Sequence, residues 1–209
     1  MIRLALLRHG ATEWNRQHRL QGRSDLPLSA DGRAQVGGWR LPAEMGAWRW
    51  WSSPLQRSRE TAEILAAGFS PAPAITADVG LIEMSYGEWE GATLEELRKR
   101  DGEQMRSLEA RGLDMRPPSG ESPRDVQARL RPWLADRAQE GRDSLAIVHK
   151  GVIRAVYALA AGWTMERKAR DRLSYECLQL FSLAEDGSPS VVTLNLPLDG
   201  GKKDTGAAA

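Results

Sequence analysis

The chain opens with a short, largely apolar run, Ile2 to Leu7, that stops abruptly at Arg8-His9-Gly10. A run of that length and character reads as a buried β-strand. Its end delivers an arginine and a histidine to the rim of a sheet, where open α/β folds gather their ligands. Gly10 has no Cβ, so the backbone there can turn sharply or come close to a ligand. A phosphate suits the place, because Arg8 offers a planar fork of donors and the loop offers N–H groups. The pattern recurs near the other end. Ser144 to Val148 reads as a second buried strand, and it stops at His149-Lys150-Gly151. Of the three histidines, His9, His18 and His149, two directly follow strand-like runs.

The segments between these strands alternate in type. Ser29 is placed to cap a helix, and Gly37-Gly38 within it predicts close packing on the sheet. Trp48 to Ser52 reads as a strand. With Trp39, it gathers four of the eight tryptophans, a cluster expected in the core or at a subunit interface. A helix from about Gln56 to Ala67 carries Arg57 and Thr61 on its polar face. Ala74 to Ala77 reads as a short strand, and Leu81 to Gly91 as irregular. Thr93-Leu94-Glu95-Glu96 is a capping box. It opens a charged helical flap, at about 92–120, that Pro117-Pro118-Ser119-Gly120 breaks. Ser122 and Pro123 start a further helix to about Gln139. A helix follows His149 directly, and Leu178–Leu183 with Val191–Leu194 read as an antiparallel pair.

This order predicts an α/β fold, a three-layer sandwich in which a mostly parallel mixed central sheet is flanked by helices. It also predicts one domain over 1–198 and a flexible Gly/Lys/Ala tail over 199–209. Basic and acidic residues nearly balance, 29 against 28, so no nucleic-acid surface is expected. No apolar run is long enough for a membrane span, no leader peptide is apparent, and a cytoplasmic protein is expected. The single cysteine, Cys177, excludes an intrachain disulfide and reads as a small core residue in a strand.

The motifs form an ordered set. Arg8-His9-Gly10 with Thr12 and Asn15 resembles the phosphate-binding signature of the histidine phosphatase superfamily, whose fold is called phosphoglycerate mutase-like. Ser53-Pro54-Leu55-Gln56-Arg57-Ser58 with Thr61-Ala62 resembles its second block. Leu81, Glu83, Gly87, Trp89, Glu90 and Gly91 resemble the third, Pro118 to Ser122 the fourth, and the strand ending at His149 the fifth. Five blocks in the family's order multiply a signal that one tripeptide would carry weakly. Gln21 and Gly22 also resemble pocket residues of the family. Lys150 departs from it, since many relatives carry glycine there. Its side chain brings a charge to the mouth of the site that could favour an acidic substrate.

The residue types permit the chemistry that the resemblance implies. Phosphoryl transfer asks for charge neutralisation and an in-line nucleophile. A neutral His9 would be that nucleophile, its tautomer fixed by a backbone carbonyl. Arg8, Arg57 and His149 would hold the phosphoryl oxygens, with Asn15 as a neutral donor. Glu83 would protonate the leaving alcohol and later activate water. Its arginine neighbours are expected to depress its pKa until a bound phosphate dianion reverses the local charge.

Hydrolysis of a small phosphorylated metabolite is therefore expected, with no cofactor and no metal. The resemblance leaves two alternatives, a cofactor-dependent phosphoglycerate mutase and an inactive phosphoprotein-binding module. The short gap from Gly91 to Pro117 favours hydrolysis, because relatives that are mutases carry a longer, proline-rich insertion there. Among phosphatases, the blocks look most like the bacterial broad-specificity and α-ribazole-phosphate types. Arginines of the flap, Arg98, Arg106, Arg111 and Arg116, are expected to read the substrate, and the tryptophan-rich strand leaves a homodimer open.

Overall fold

A computed structural model describes residues 1–198, so the tail expected at 199–209 lies outside the described residues. In chain order the elements are β1 (Ile2–Arg8), α1 (Glu13–Arg16), α2 (Ala30–Gly38), β2 (Arg49–Ser52), α3 (Gln56–Ala66) and β3 (Ile75–Ala77). They continue with α4 (Leu94–Glu109), α5 (Pro123–Glu140), β4 (Ser144–Val148), α6 (Lys150–Ala161), β5 (Leu178–Leu183) and β6 (Pro189–Leu196). The strands form one sheet of six in the order β3-β2-β4-β1-β5-β6. The first four in that order run parallel, and β5 and β6 join antiparallel beyond β1.

The register explains why the central strands are apolar throughout rather than alternating. Leu4 and Leu6 of β1, with Ala146 and Val148 of β4, face a core shared with Val126 and Leu130 of α5 and Val152 and Val156 of α6. Ala5, Leu7, Leu145 and Ile147 face the opposite core, shared with Val36 of α2 and Ala62 and Leu65 of α3. A strand covered by helices on both faces has no polar side to show. The result is the expected three-layer α/β sandwich with a mostly parallel mixed sheet.

The tryptophan cluster is used within the chain. Trp39, Trp48 and Trp50 are buried on the α2/α3 side, and the Trp50 indole N–H donates to the Met45 carbonyl at 2.8 Å. Trp51 points to the other face, edge-on to Trp133, with the Arg137 guanidinium 3.9 Å over its ring. Cys177 departs from expectation: it lies half-buried in a bend before β5, not in a strand core.

Close packing of α2 also falls elsewhere than expected. Gly37 and Gly38 are exposed, and a Cβ on Gly37 would meet nothing within 4 Å. The helix is pressed instead against the loop after β1. Ser29 caps it, accepting from the Gly32 N–H at 3.0 Å, and its hydroxyl donates to the Ala11 carbonyl at 3.2 Å. A Cβ on Gly32 would stand 1.9 Å from that same carbonyl oxygen. We therefore expect Gly32→Ala to lower stability by about 1–3 kcal/mol, as overpacking of rigid backbone does. Gly37→Ala, in the same helix, should raise stability by roughly 0.4–1 kcal/mol. Urea unfolding of the two variants checks this, and shifts of the same sign would refute the packing account.

Candidate active site

Three neighbouring parallel strands end together. Arg8 of β1 lies opposite Val148 of β4, and Ser52 of β2 lies opposite Ile147. The next backbone N–H of each flanking strand continues the ladder, His9 to the Val148 carbonyl and Ser53 to the Ile147 carbonyl, both at 3.0 Å. His9, Ser53 and His149 are thus delivered to one rim by strand geometry alone. The rings of His9 and His149 stand 5.1 Å apart.

His9 is buried, and its Nδ1 lies 2.7 Å from the Gly10 carbonyl oxygen. A carbonyl only accepts, so Nδ1 carries the proton and Nε2 keeps a free lone pair. The acceptor is itself held in place, since the Gly10 N–H donates to the Thr61 hydroxyl at 3.0 Å and that hydroxyl donates to the Arg57 carbonyl at 2.7 Å. Burial, and then the charges of Arg8 and Arg57, push the His9 pKa well below the ordinary imidazole value. The ring is therefore neutral at physiological pH. His149 is held low in the same way, by burial first and then by Arg57.

His149 is fully buried, with Nε2 2.7 Å from the Ser53 hydroxyl and 3.3 Å from that of Ser58. Ser53 accepts from the Leu55 N–H, which leaves its own proton for Nε2. His149 then carries its hydrogen on Nδ1, a buried atom with no partner among the described residues. Arg57 is fixed by its outer nitrogens, donating to the Ser24 carbonyl at 2.8 Å and the Gly22 carbonyl at 2.7 Å. Its Nε is left buried without a partner. The Arg8 guanidinium makes no hydrogen bond or ion pair among the described residues, although its Nε is buried. Unsatisfied buried donors of this kind are rare in structural positions. Arg8 and Arg57 line the same cavity.

Glu83 accepts from the Met84 N–H at 2.8 Å and from the Gly151 N–H, in the first turn of α6, at 3.1 Å. Its pKa corrects the expectation drawn from its neighbours. Burial raises it above the ordinary carboxylate value, and the two N–H bonds and the charges of Arg57 and Arg129 oppose that without prevailing. Proximity to cations was legible in the motif; the degree of desolvation was not.

These residues open on a cavity of about 880 Å³. Arg8, His9, Asn15, Gln21, Gly22, Arg57, Glu83 and Lys150 all line it, whereas His149 is fully buried and is not among the lining residues. His18 reaches the cavity too, although the sequence suggested no role for it. Asn15 uses its side-chain oxygen to accept from the Thr12 backbone and hydroxyl, which leaves its amide nitrogen as the free donor. Gln21 keeps a buried Oε1 without a partner. Gly22 has φ +52°, and Glu90 locks its loop by accepting from the N–H groups of Arg23 and Ser24.

The flap forms the far wall as α4, kinked at Gly102, and the segment after it. Three of the four arginines expected to read the substrate are less available, and Arg111 is not among the cavity-lining residues. Arg98 lines the cavity but is tied to Glu109 at 2.6 Å, Arg106 is bound to Glu103, and Arg116 is bound to Asp125 at 2.5 Å. Sequence reasoning overlooked Ser53, Ser58 and Thr61 as supports, and Arg154 and Tyr175 as lining residues. The polar residues of the second block were their one signal. Among the described residues, no group of three or more histidine, cysteine or carboxylate side chains could hold a metal ion, and no helix is long and apolar enough to cross a membrane.

Known proteins resemble this arrangement over most of the chain. A family model described as the histidine phosphatase superfamily, branch 1, matches residues 4–197. A bifunctional protein of Mycobacterium tuberculosis is 35% identical over 198 residues, which cover 92% of this chain and 53% of that protein. The chain thus spans about half the length of the first curated relatives it matches. A 2,3-bisphosphoglycerate-dependent phosphoglycerate mutase of Gloeobacter violaceus is 28% identical over 204 residues, 93% of this chain and 91% of its own. The solved structure of a mycobacterial glucosyl-3-phosphoglycerate phosphatase with VO3 superimposes with a TM-score of 0.76 at 27% identity, covering 94% of this chain and 100% of that one.

Proposed function

The chain belongs to branch 1 of the histidine phosphatase superfamily, and on that premise we propose that it is a phosphomonoester hydrolase working through a phosphohistidine on His9. The observation that carries the reading is a neutral imidazole with its Nδ1 proton committed to the Gly10 carbonyl, beside an arginine whose guanidinium has no partner among the described residues. The substrate is a small phosphorylated metabolite, met in the cytoplasm.

In the first step the free Nε2 of His9 attacks phosphorus while the ester P–O bond breaks. Glu83 gives its proton to the leaving oxygen, so an alcohol departs. Arg8, Arg57 and the Nδ1–H of His149 hold the three equatorial oxygens, with Asn15 as a neutral donor. They hold them more tightly as charge builds in the transition state. Gln21, Gly22 and Lys150 shape the wall around the ester. In the second step water attacks phosphorus, the P–N bond breaks, and Glu83 takes the proton of the water. Inorganic phosphate leaves, and both groups return to their starting states.

Hydrolysis of p-nitrophenyl phosphate at mildly acidic pH, with trapping of a labelled protein under alkaline quench, tests the reading. Positional transfer on phosphoglycerate without release of phosphate would make it a mutase. Phosphoester binding with neither turnover nor label would make it a binding module.

Gly151 supplies a positional check on Glu83. A Cβ there would stand 2.4 Å from Oε1 of Glu83. That oxygen is buried and already bound by a backbone N–H, so the carboxyl must move. We expect Gly151→Ala to lower kcat on alkyl phosphates by about 10–100-fold, as misplacement of a catalytic group does. In the phosphorylation step, isolated by burst kinetics, loss on p-nitrophenyl phosphate should be much smaller, because its leaving group needs little protonation. Equal losses in that step for the two esters would show that Glu83 is not the acid.

A further inference from the structure

Two cations in the cavity lack a counterpart. Lys150 and Arg154 stand four residues apart on α6, on one face of the helix and as near neighbours. Both line the cavity. Neither lies within ion-pair distance of a carboxylate among the described residues, which sets them apart from the flap arginines. Tyr175 ties them into a cluster: the Lys150 ammonium stands 5.1 Å over its ring, and burial raises the phenol while the facing Arg154 guanidinium lowers it. Trp163 lies 5.0 Å from the Arg154 guanidinium, a cation–π contact that places the side chain and supplies no counter-anion. Partial desolvation at the wall, and then the charges of Arg154 and Arg8, hold the Lys150 ammonium below the ordinary lysine value. Like charges gathered on a cavity wall, with no carboxylate within ion-pair distance of either among the described residues, are an arrangement that a ligand can relieve.

Charge balance says what kind of ligand. A phosphoryl dianion on His9 is matched by Arg8 and Arg57, with Glu83 protonated. Lys150 and Arg154 are then left on the cavity wall without a carboxylate partner among the described residues. The remaining cavity carboxylates, Glu95 and Glu109, belong to the flap, and Glu109 already holds Arg98. We propose that Lys150, Arg154 and the Tyr175 hydroxyl form a second anion subsite, so that the alcohol released from the phosphoester itself carries a carboxylate or a second phosphate. The inference rests on the phosphomonoester reading above and adds a substrate class to it.

Binding to a His9→Ala protein, which holds an ester without turning it over, tests the subsite. Calorimetry would compare glycerol 3-phosphate with 3-phosphoglycerate, its carboxylate counterpart, and with 1,3-propanediol bisphosphate. At least one doubly anionic ester should bind about ten-fold or more tightly than glycerol 3-phosphate, the size expected of charge-assisted hydrogen bonds. Which of them does so identifies the second anion. Adding Lys150→Gln, or Arg154→Gln, should reduce that ratio at least three-fold. A ratio near one in the parent overturns the subsite while leaving the phosphomonoester reading intact. A ratio that survives both substitutions overturns its assignment to these residues. Binding of none of the three esters overturns both readings together.

Discussion

Replacement of His9 by alanine should abolish turnover, with kcat on p-nitrophenyl phosphate falling by at least about 10³-fold, as loss of a covalent nucleophile does. The same protein should give no labelled species under alkaline quench. The reason lies in the geometry of the ring. Its proton is held on Nδ1 by a carbonyl that Thr61 in turn positions, and burial with two arginines keeps Nε2 unprotonated. Removing the imidazole leaves Arg8 and Arg57 able to bind a phosphoester with nothing to attack it. His149→Ala makes the contrast. It should slow labelling, because one donor to the phosphoryl oxygens is lost, yet still allow a label on His9. A His9→Ala protein that hydrolyses as fast as the parent, or that still takes up label, would sink the phosphohistidine mechanism. Urea midpoints of both variants would show that neither loss reflects unfolding.

Much of this site was legible because the proposed chemistry requires residue types that are unusual where they stand. A histidine directly after an apolar run has little reason to be there as packing, and two such runs put two histidines at one rim once the strands lie side by side. Arg57 was legible through its block, and its burial on α3 turns an apparent polar face into a wall of the site. The supports were harder to see. Ser53, Ser58 and Thr61 hold His149 and Gly10 through hydroxyls, and a serine or threonine in a sequence looks the same whether it pins a catalytic ring or faces water. Arg154 sits one turn after Lys150 in the largely apolar helix α6, where it reads as an ordinary surface residue until the cavity is drawn around it.

Two further failures share a cause. Gly37-Gly38 suggested a tight approach that Gly32 and Gly10 make instead, because local composition does not say which face of a helix meets a neighbour. Arg98 and Arg116 looked free because their partners lie farther along the chain. Glu109 lies eleven positions from Arg98, and Asp125 caps the start of α5 before it binds Arg116. Charge in a sequence is counted by residue, whereas availability is decided by who stands opposite. The overall fold was read more readily, since both-faced burial imposes the same apolar run on each central strand.

The pH dependence of Glu83 tests the other half of the mechanism. A carboxyl raised by burial keeps its proton to higher pH than an ordinary carboxylate does. For an alkyl phosphate, kcat/KM should therefore fall as pH rises through that raised pKa, because the ionised form cannot protonate the leaving alcohol. The limb on the acid side belongs to His9 and lies well below the ordinary imidazole value, since its pKa is lowered and only its neutral form attacks. The optimum lies between the two limbs, with the lowered His9 pKa on the acid side and the raised Glu83 pKa on the alkaline side. Glu83→Gln should remove the alkaline limb and lower kcat on alkyl phosphates by about 10²–10⁴-fold, the usual worth of a general acid. On p-nitrophenyl phosphate, measured alongside to correct for the substrate's own second ionisation near pH 6, the phosphorylation step should lose far less, because that leaving group departs as a stable anion. Burst kinetics separates this step from attack by water, which still needs a base and should slow on both substrates. An unchanged alkaline limb in Glu83→Gln, or equal losses in the phosphorylation step for the two esters, would assign the proton to another group.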